Sequence, residues 1–290
     1  IATTGRRGPV LIDLPMNIQR SEVENPVYDM TFEDKHTDAA AAQQAADTIL
    51  EALEQAKRPV IMLGHGVDSS FSQQKLIRFA QKRQIPIITS VLAKSVLGYD
   101  HPLNFGCIGG AYGHRYANMI ANAKSDLLLC FGISLCTRQI GTKVHEFARG
   151  AKIIRIDIDP YNLQRDIHEN GINEVKLQAE TGAVIDCLAK AAAPDTEGIS
   201  DWLNVCTEIK ENLQAVDDAT PERYPNRMIA DLSDMLEDTS AIAVDVGQHM
   251  VWSYQSFKNH EGQKLLFSGG HGAMGYGLPA AIGAYYATGK

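Results

Sequence analysis

Short runs of consecutive apolar residues alternate along the chain with longer segments in which apolar residues recur every three or four positions. Unbroken apolar runs are typical of strands buried on both faces of a sheet, and the wider spacing is typical of helices. The predicted strands are Gly8–Pro15, Pro59–Leu63, Ile85–Thr89, Asp126–Phe131, Ala151–Asp159 and Val175–Gln178. The predicted helices are 37–56, 71–82, 113–123 and 181–192. This alternation predicts an α/β fold over residues 37–193, a doubly wound, Rossmann-like parallel sheet with helices on both faces.

The C-terminal part shows the same alternation with fewer strands. Helices are predicted at 202–216, 227–236 and 278–287, and strands at Ala241–Val246 and Lys264–Phe267. The Pro-containing stretch 191–198 marks a boundary, and the polar stretch 20–36 is typical of a linker. The predicted organisation therefore has three parts: residues 1–36, a central domain at 37–193, and a second, incomplete α/β domain at 194–290.

Charge and composition narrow the classes of function. The formal net charge of −8 argues against a nucleic-acid partner, because such a partner calls for a basic face. No apolar run has the length needed to cross a bilayer, so no membrane association is predicted. The five cysteines include no Cys-x-x-Cys pair and the nine histidines are scattered, so no metal site is predicted. Buried, reduced thiols fit a cytoplasmic protein.

Glycine-rich segments follow both predicted C-terminal strands. Asp245-Val-Gly-Gln-His249 ends the first, and Ser268-Gly-Gly-His-Gly-Ala-Met-Gly-Tyr-Gly-Leu-Pro279 joins the second to the last helix. Glycine lets the backbone approach a ligand closely, and the free amides at a helix N-terminus favour an anion. The two segments therefore predict a diphosphate site.

Four segments together resemble the thiamine-diphosphate-dependent enzymes of the acetolactate synthase group. They are Gly8–Pro15, Ile156-Asp-Ile-Asp-Pro160, Gly247-Gln-His249 and the glycine-rich Ser268–Pro279. The resemblance covers the whole chain in order, and the C-terminal glycine pattern is its most specific part. It implies that residues 1–36 are the end of a pyrimidine-binding domain with a linker, that 37–193 are the central domain, and that 194–290 begin a diphosphate-binding domain.

The resemblance also implies roles for individual residues. The Gly-Gln-His segment would lie by the diphosphate, where neutral donors meet phosphate oxygens. The backbone of Gly-Ala-Met in the glycine-rich segment would contact the aminopyrimidine ring. The predicted cofactor-binding residues are Gly247, Gln248, His249, Gly272, Ala273 and Met274. No residue of this chain is predicted to be catalytic, and that includes His271, which stands where an apolar residue is expected.

Several members of this group hold FAD or another adenine nucleotide along the carboxyl edge of the central sheet, where an acidic strand end can bind ribose hydroxyls. The corresponding candidates here are Gly64, Gly66, Thr89, Gly110, Gly113, Arg138 and Asp157. FAD-binding members carry an Arg and acidic residues after the fourth strand, whereas Gly132–Arg138 keeps only Arg138 as a charged group. Since one hydrogen bond to a charged group is worth about 1.5–3 kcal/mol, the favoured prediction is a colourless protein without flavin.

Two parts of the group's cofactor site do not occur in these 290 residues. The resemblance implies Mg²⁺ held by a Gly-Asp-Gly motif and a later Asn, and an activating glutamate upstream of Ile1. The expectation is a piece of a 2-keto acid decarboxylase or carboligase that uses thiamine diphosphate and Mg²⁺ and forms a homo-oligomer, with the isolated chain inactive. The alternative is a non-catalytic α/β module that binds a nucleotide or supports an oligomer.

Overall fold

The computed structural model describes residues 2–3, 5–24, 38–67, 69–110, 112–168, 171, 173–191, 197–236 and 240–289. Within these residues six strands form one parallel sheet: β1 Pro59–Leu63, β2 Ile87–Thr89, β3 Asn104–Cys107, β4 Leu127–Phe131, β5 Lys152–Asp157 and β6 Glu174–Gln178. Their spatial order is β3-β2-β1-β4-β5-β6. The chain builds outward from β1 in one direction and from β4 in the other, so the predicted doubly wound sheet is confirmed.

Eleven α-helices connect and flank the strands of the described chain. They are α1 Met16–Gln19, α2 Ala39–Gln55, α3 Ser70–Arg83, α4 Arg115–Met119, α5 Thr137–Ile140, α6 Pro160–Gln164, α7 Thr181–Lys190, α8 Glu197–Ala219, α9 Tyr224–Met235, α10 Gln248–Ser256 and α11 Gly277–Thr288. A single π-helical turn at Ile120–Lys124 continues α4, and a 3-10 helix at Val91–Val96 follows β2. Asp38 caps α2 by accepting hydrogen bonds from the Ala40 and Ala41 amides.

Both faces of the main sheet are buried, because alternate residues of each strand point to opposite sides. Ile61 and Leu63 lie in one apolar cluster with residues of α2, α3 and α7. Val60 and Met62 lie in a second cluster with residues of α4 and α8. This two-sided burial explains why the central strands β1 and β4 have unbroken apolar sequences.

Helix α8 covers the second face of the main sheet. Its Trp202 is 4% exposed and donates its indole hydrogen to the Pro59 carbonyl oxygen at 3.0 Å. Cys206 is buried in the same cluster. The predicted boundary near residue 194 assigned this helix to the second, C-terminal domain. In the structure the helix packs on the main sheet of the central domain instead.

A second, two-stranded parallel sheet consists of β7 Ala241–Val244 and β8 Lys264–Phe267. Val244, Leu265 and Phe267 form a small apolar cluster with Tyr254 and Phe257 of the α10 region. Val91, just beyond β2, packs against this cluster. The second unit therefore sits at the carboxyl edge of the main sheet, where a ligand site is expected.

Several local predictions were wrong. Gly8–Pro15 was predicted as a buried strand, but it has no strand structure and Leu11 is 94% exposed, since no described segment covers it. The mixed sequence of β3 gave no strand prediction, and α10 was not predicted. Residues 217–225, which lie between two predicted helices, contain the end of α8, a 3-10 turn and the start of α9. Thr37 at the start of the first predicted helix, most of the predicted linker and residues 192–196 lie outside the described residues.

All five cysteines are free, and Cys107, Cys130 and Cys206 are buried. None of the described helices combines the length and apolarity that a membrane crossing requires. Among the described residues, no three His, Cys, Asp or Glu side chains are grouped to hold a metal ion.

Candidate cofactor site

A cleft of about 880 Å³ separates the carboxyl edge of the main sheet from the second unit. The central side consists of residues that follow β2, β3 and β4, and the opposite side consists of the residues that follow β7 and β8. The carboxyl ends of parallel strands meet at one edge, so segments distant in sequence converge here. The lining residues that carry polar side chains are Ser90, Tyr112, Ser134, Cys136, Thr137, Arg138, Gln139, Gln248, Tyr254 and His271.

Arg138 is the one side chain with a fixed charge among the residues that line this cleft. Its Nη1 donates a long hydrogen bond of 3.5 Å to the Gly269 carbonyl oxygen, which ties the loop after β4 to the glycine-rich segment. The guanidinium therefore bridges the two walls and gives the cleft a positive charge that favours an anionic ligand.

Helix α10 begins at the cleft with Gln248, and Gly247 precedes it as the N-cap residue. The first amides of a helix have no acceptor within the helix, so an anion can accept from them. Gly247 and Gln248 are exposed and line the cleft. Of the three predicted diphosphate contacts in this segment, Gly247 and Gln248 line the cleft and His249 does not. The His249 ring folds back over Gly247, where a Cβ atom would lie 2.7 Å from its Cε1 atom.

The glycine-rich segment is held by Asp245, which the sequence analysis assigned no role. The Asp245 carboxylate accepts hydrogen bonds from the Gly275 amide at 2.9 Å and the Gly277 amide at 3.2 Å. It also accepts from the Val246 amide, and these amide bonds, the Val246 bond foremost, lower the pKa of the Asp245 carboxyl. The carboxylate thus fixes the loop before α11 and satisfies amides at the start of that helix.

The predicted contacts of the glycine-rich segment divide into two groups. Gly272 lines the cleft, together with Gly269, Gly270 and His271. Ala273 lies just beyond and donates its amide to the Ser268 hydroxyl at 3.1 Å. Met274 is 85% exposed and also lies outside the cleft lining.

The predicted nucleotide contacts Gly64 and Gly66 face another part of the backbone. A Cβ atom on Gly64 would overlap the Gly132 carbonyl oxygen, and one on Gly66 would lie 2.7 Å from the Gly132 Cα atom. The Gly66 amide donates to the Gly132 carbonyl oxygen at 3.0 Å. The loops after β1 and β4 therefore cross here, and this crossing requires glycine whether or not a ligand binds.

Asp157 and Thr89 are buried and have hydrogen-bond partners within the protein. The Asp157 carboxylate accepts from the Asp159 amide at 2.9 Å and from the Asn162 side-chain amide at 3.1 Å. The Thr89 hydroxyl lies 3.3 Å from both the Gly106 carbonyl oxygen and the Cys107 sulfur. Neither residue lines the cleft.

Gly110 and Gly113 follow β3 and differ from each other. No atom lies within 4 Å of a Cβ placed on Gly110, whereas one on Gly113 would lie 2.5 Å from the Cys107 carbonyl oxygen. Gly113 therefore serves the tight turn between β3 and α4. Of the seven predicted nucleotide contacts, the structure places Arg138 on the wall of the cleft.

Tyr254 supplies a neutral hydrogen-bonding group to the cleft. Burial raises the pKa of its phenol to about 12, so the hydroxyl stays protonated at neutral pH. Its ring packs edge-on against Phe267 with centroids 4.6 Å apart. Tyr254 therefore presents a neutral hydroxyl at the wall near β8.

These donors fit a diphosphate better than they fit a metal ion. The start of α10, the Gln248 amide, the glycine-rich segment and the Arg138 guanidinium all favour phosphate oxygens. Among the described residues no carboxylate lines the cleft, and oxygen ligands are what Mg²⁺ requires. The described residues therefore fit the diphosphate and do not by themselves fit Mg²⁺.

Two regions of the chain match domain models of one protein family. Residues 46–188 match the central domain of thiamine pyrophosphate enzymes, and residues 245–290 match their C-terminal domain, which binds thiamine pyrophosphate, another name for thiamine diphosphate. The chain belongs to the thiamine pyrophosphate enzymes. The cleft lies between the two matched regions.

Individual relatives narrow the group. The chain is 34% identical over 300 residues to a probable acetolactate synthase large subunit of Methanocaldococcus jannaschii, with 98% of this chain and 49% of that protein aligned. It is 32% identical over 292 residues to the acetolactate synthase isozyme 1 large subunit of Escherichia coli, with 99% of this chain and 49% of that protein aligned. The chain spans about half the length of these curated relatives.

Proposed function

We propose that this chain supplies the central domain and the diphosphate-contacting wall of an enzyme like acetolactate synthase, which decarboxylates one 2-keto acid and condenses the remainder with another. The observation that supports this most is the convergence of Gly247, Gln248, Arg138 and Gly269–Gly272 on one cleft. Thiamine diphosphate, when bound, supplies the nucleophilic carbon and the electron sink that such decarboxylation needs. The match to a domain that binds this cofactor supports the assignment.

The residues of this chain would bind and orient. The first amides of α10 and the Gln248 side chain would hold phosphate oxygens, and the Arg138 guanidinium would add charge. Val91, Leu92 and Met250 give the cleft apolar walls that exclude water from the bound ligand. Mg²⁺ belongs to the proposal for the complete enzyme, and no step is assigned to it here.

An activity assay tests the proposal. The complete enzyme that contains this chain should convert two pyruvate molecules to acetolactate and CO₂, with activity that depends on thiamine diphosphate and Mg²⁺. Replacing Arg138 by Gln should lower activity about tenfold, because one charge-assisted contact is worth roughly 1.5–3 kcal/mol and the site is partly open. Arg149→Gln, at an exposed position away from the cleft, is the matched control.

Three results would contradict the proposal: activity without thiamine diphosphate, CO₂ release without any carbon–carbon bond formation, or equal activities of the Arg138 and Arg149 variants.

We also propose a cytoplasmic homo-oligomer. The isolated chain should bind thiamine diphosphate weakly, because the described residues do not fit the metal. A flavin is not proposed, since the candidate contacts Gly64, Gly66, Thr89 and Asp157 are turned to internal partners.

A further inference from the structure

The loop that follows β4 supplies much of the central wall of the cofactor cleft. We call residues 132–136 the β4 loop, and this loop leads directly into α5. The lining residues of the β4 loop and α5 are Ser134, Cys136, Thr137, Arg138 and Gln139. The conformation of the β4 loop therefore decides where the Arg138 guanidinium stands in the cleft.

Leu135 gives the β4 loop an unfavourable backbone conformation. Its φ angle is +49°, in the left-handed region that a bulky side chain rarely adopts. The Leu135 side chain is fully buried in an apolar cluster that also contains Ile133, whereas Ser134 and Cys136 line the cleft. Such a backbone conformation persists only when the surrounding groups hold it, so the partners of the β4 loop decide whether it stays in place.

Arg165 holds the β4 loop from outside the cleft. It follows α6, and its Nη2 atom donates to the Ser134 carbonyl oxygen at 3.1 Å and to the Leu135 carbonyl oxygen. The guanidinium is charged, so these bonds are stronger than bonds between neutral groups. Arg165 does not line the cleft. It therefore reaches a bound ligand through the loop that it holds, and not by contact.

A buried ion pair between β5 and β6 fixes the backbone around Arg165. The Arg155 Nη1 and Glu174 Oε1 atoms lie 2.7 Å apart, and the two side chains are 2% and 0% exposed. Arg155 Nη1 also donates to the Arg165 carbonyl oxygen at 2.7 Å. Glu174 Oε2 accepts from the Ile167 amide at 2.8 Å. The pair thus ties the segment that carries Arg165 to the main sheet.

We propose that Arg165 is a positioning residue for the cofactor cleft. By holding the Ser134 and Leu135 carbonyl groups, it keeps Arg138 in place to receive a diphosphate without touching the ligand itself. The proposal rests on the proposed function of this cleft and goes beyond it, because it assigns a part in binding to a residue outside the cleft lining.

Hydrogen exchange of the complete enzyme without cofactor tests whether Arg165 holds the loop. In Arg165→Gln the amides of residues 133–139 should exchange about threefold faster or more, because the β4 loop opens more often, and those of β1 should be unchanged. Arg149→Gln, at an exposed position, is the matched control. Unchanged exchange in the β4 loop of the Arg165 variant would overturn the proposal.

Calorimetric titration of the complete enzyme with thiamine diphosphate, at a fixed Mg²⁺ concentration, tests the consequence for binding. Arg165→Gln should raise the Kd about fourfold, since the Arg138 guanidinium is still present but is no longer held in place. Added to Arg138→Gln, the same substitution should raise the Kd hardly further, because Arg165 acts through Arg138. Arg165→Lys keeps the charge and one donor, and it should raise the Kd about twofold at most.

Two results of the titration would overturn the proposal. Additive effects of the Arg138 and Arg165 substitutions would show that Arg165 acts through its charge alone. Equal Kd values for Arg165→Gln and Arg149→Gln would show that Arg165 does not act on the ligand. A wild-type enzyme that does not bind thiamine diphosphate would contradict the proposed function instead, and the exchange comparison would still decide whether Arg165 holds the loop.

Discussion

Asp245 shows how one carboxylate can organise a binding loop without touching the ligand site. It ends the first strand of the second unit and holds the amides of Gly275 and Gly277, thirty or more residues later. Sequence patterns identified the glycines but not this side chain, because a contact between distant residues leaves no local periodicity. The glycine-rich segment therefore depends on a residue outside it.

Replacement of Asp245 by Asn should loosen that segment. Asn keeps one acceptor oxygen but loses the charge that amide donors favour. Hydrogen exchange should become faster across residues 268–277 and stay unchanged in β1 and β4. Asp231→Asn, at an exposed position on α9, is the control. Unchanged exchange in the loop would show that the glycines hold their conformation without Asp245.

At the scale of secondary-structure elements, the loops after β1 and β4 cross closely, and this crossing explains why three positions there are glycine. Gly64, Gly66 and Gly132 lie in backbone contact, and Gly132 has a φ of +54°. A strand-end glycine is ordinarily a candidate for ligand approach, and the family resemblance therefore made Gly64 and Gly66 candidate nucleotide contacts. The structure shows the approach of one loop to another at the same place.

Gly64→Ala should lower the free energy of unfolding by about 1–3 kcal/mol or more, because the added methyl group overlaps backbone that cannot rotate away. Chemical denaturation measures this value. Gly150→Ala is the matched control, since nothing lies within 4 Å of its Cβ position. Equal stability of the two variants would mean that the loops can separate without cost.

The strength of local pattern decides which elements could be predicted. Strands β1 and β4 are buried on both faces and have unbroken apolar sequences, so their pattern sufficed. Strand β3 contains Asn104 and Gly106 and is recognisable only from its pairing with β2. Gly8–Pro15 is the opposite case: its apolar run predicted a buried strand, but the segment is exposed. An apolar run leads to burial only where another segment covers it. Gln248 and Gly272 were predicted from the family resemblance, whereas Tyr254 and Ser134 line the cleft only because the fold brings them there.

At the scale of the whole molecule, His114 joins the two units. The Cys107 amide donates to the His114 Nδ1 atom at 2.9 Å, so Nε2 carries the hydrogen and donates to the Gln255 carbonyl oxygen at 2.8 Å. Burial, assisted by the positive charge of Lys94, lowers the pKa of His114 to about 3. The neutral ring thus links the β3–α4 turn to α10.

This link predicts a pH dependence of stability. Between the ordinary histidine pKa of about 6.5 and about 3, the unfolded chain binds a proton at His114 that the native chain does not. The native state should therefore lose stability as the pH falls through this interval, and be unaffected by this group above it. In His114→Gln the slope of unfolding free energy against pH should shrink by about one proton, whereas the exposed His145→Gln should keep it. Equal slopes would contradict the buried neutral ring.

Amide NMR of the ¹⁵N-labelled chain decides whether the cleft between the two units receives the diphosphate. Titration with thiamine diphosphate should shift the amides of Gln248 and Gly269–Gly272 and leave those near Asp157 in place. Thiamine, which lacks the diphosphate, should cause much smaller shifts at the same residues. Equal shifts with both compounds, or shifts centred on Asp157 and Gly64, would contradict the assignment of this cleft.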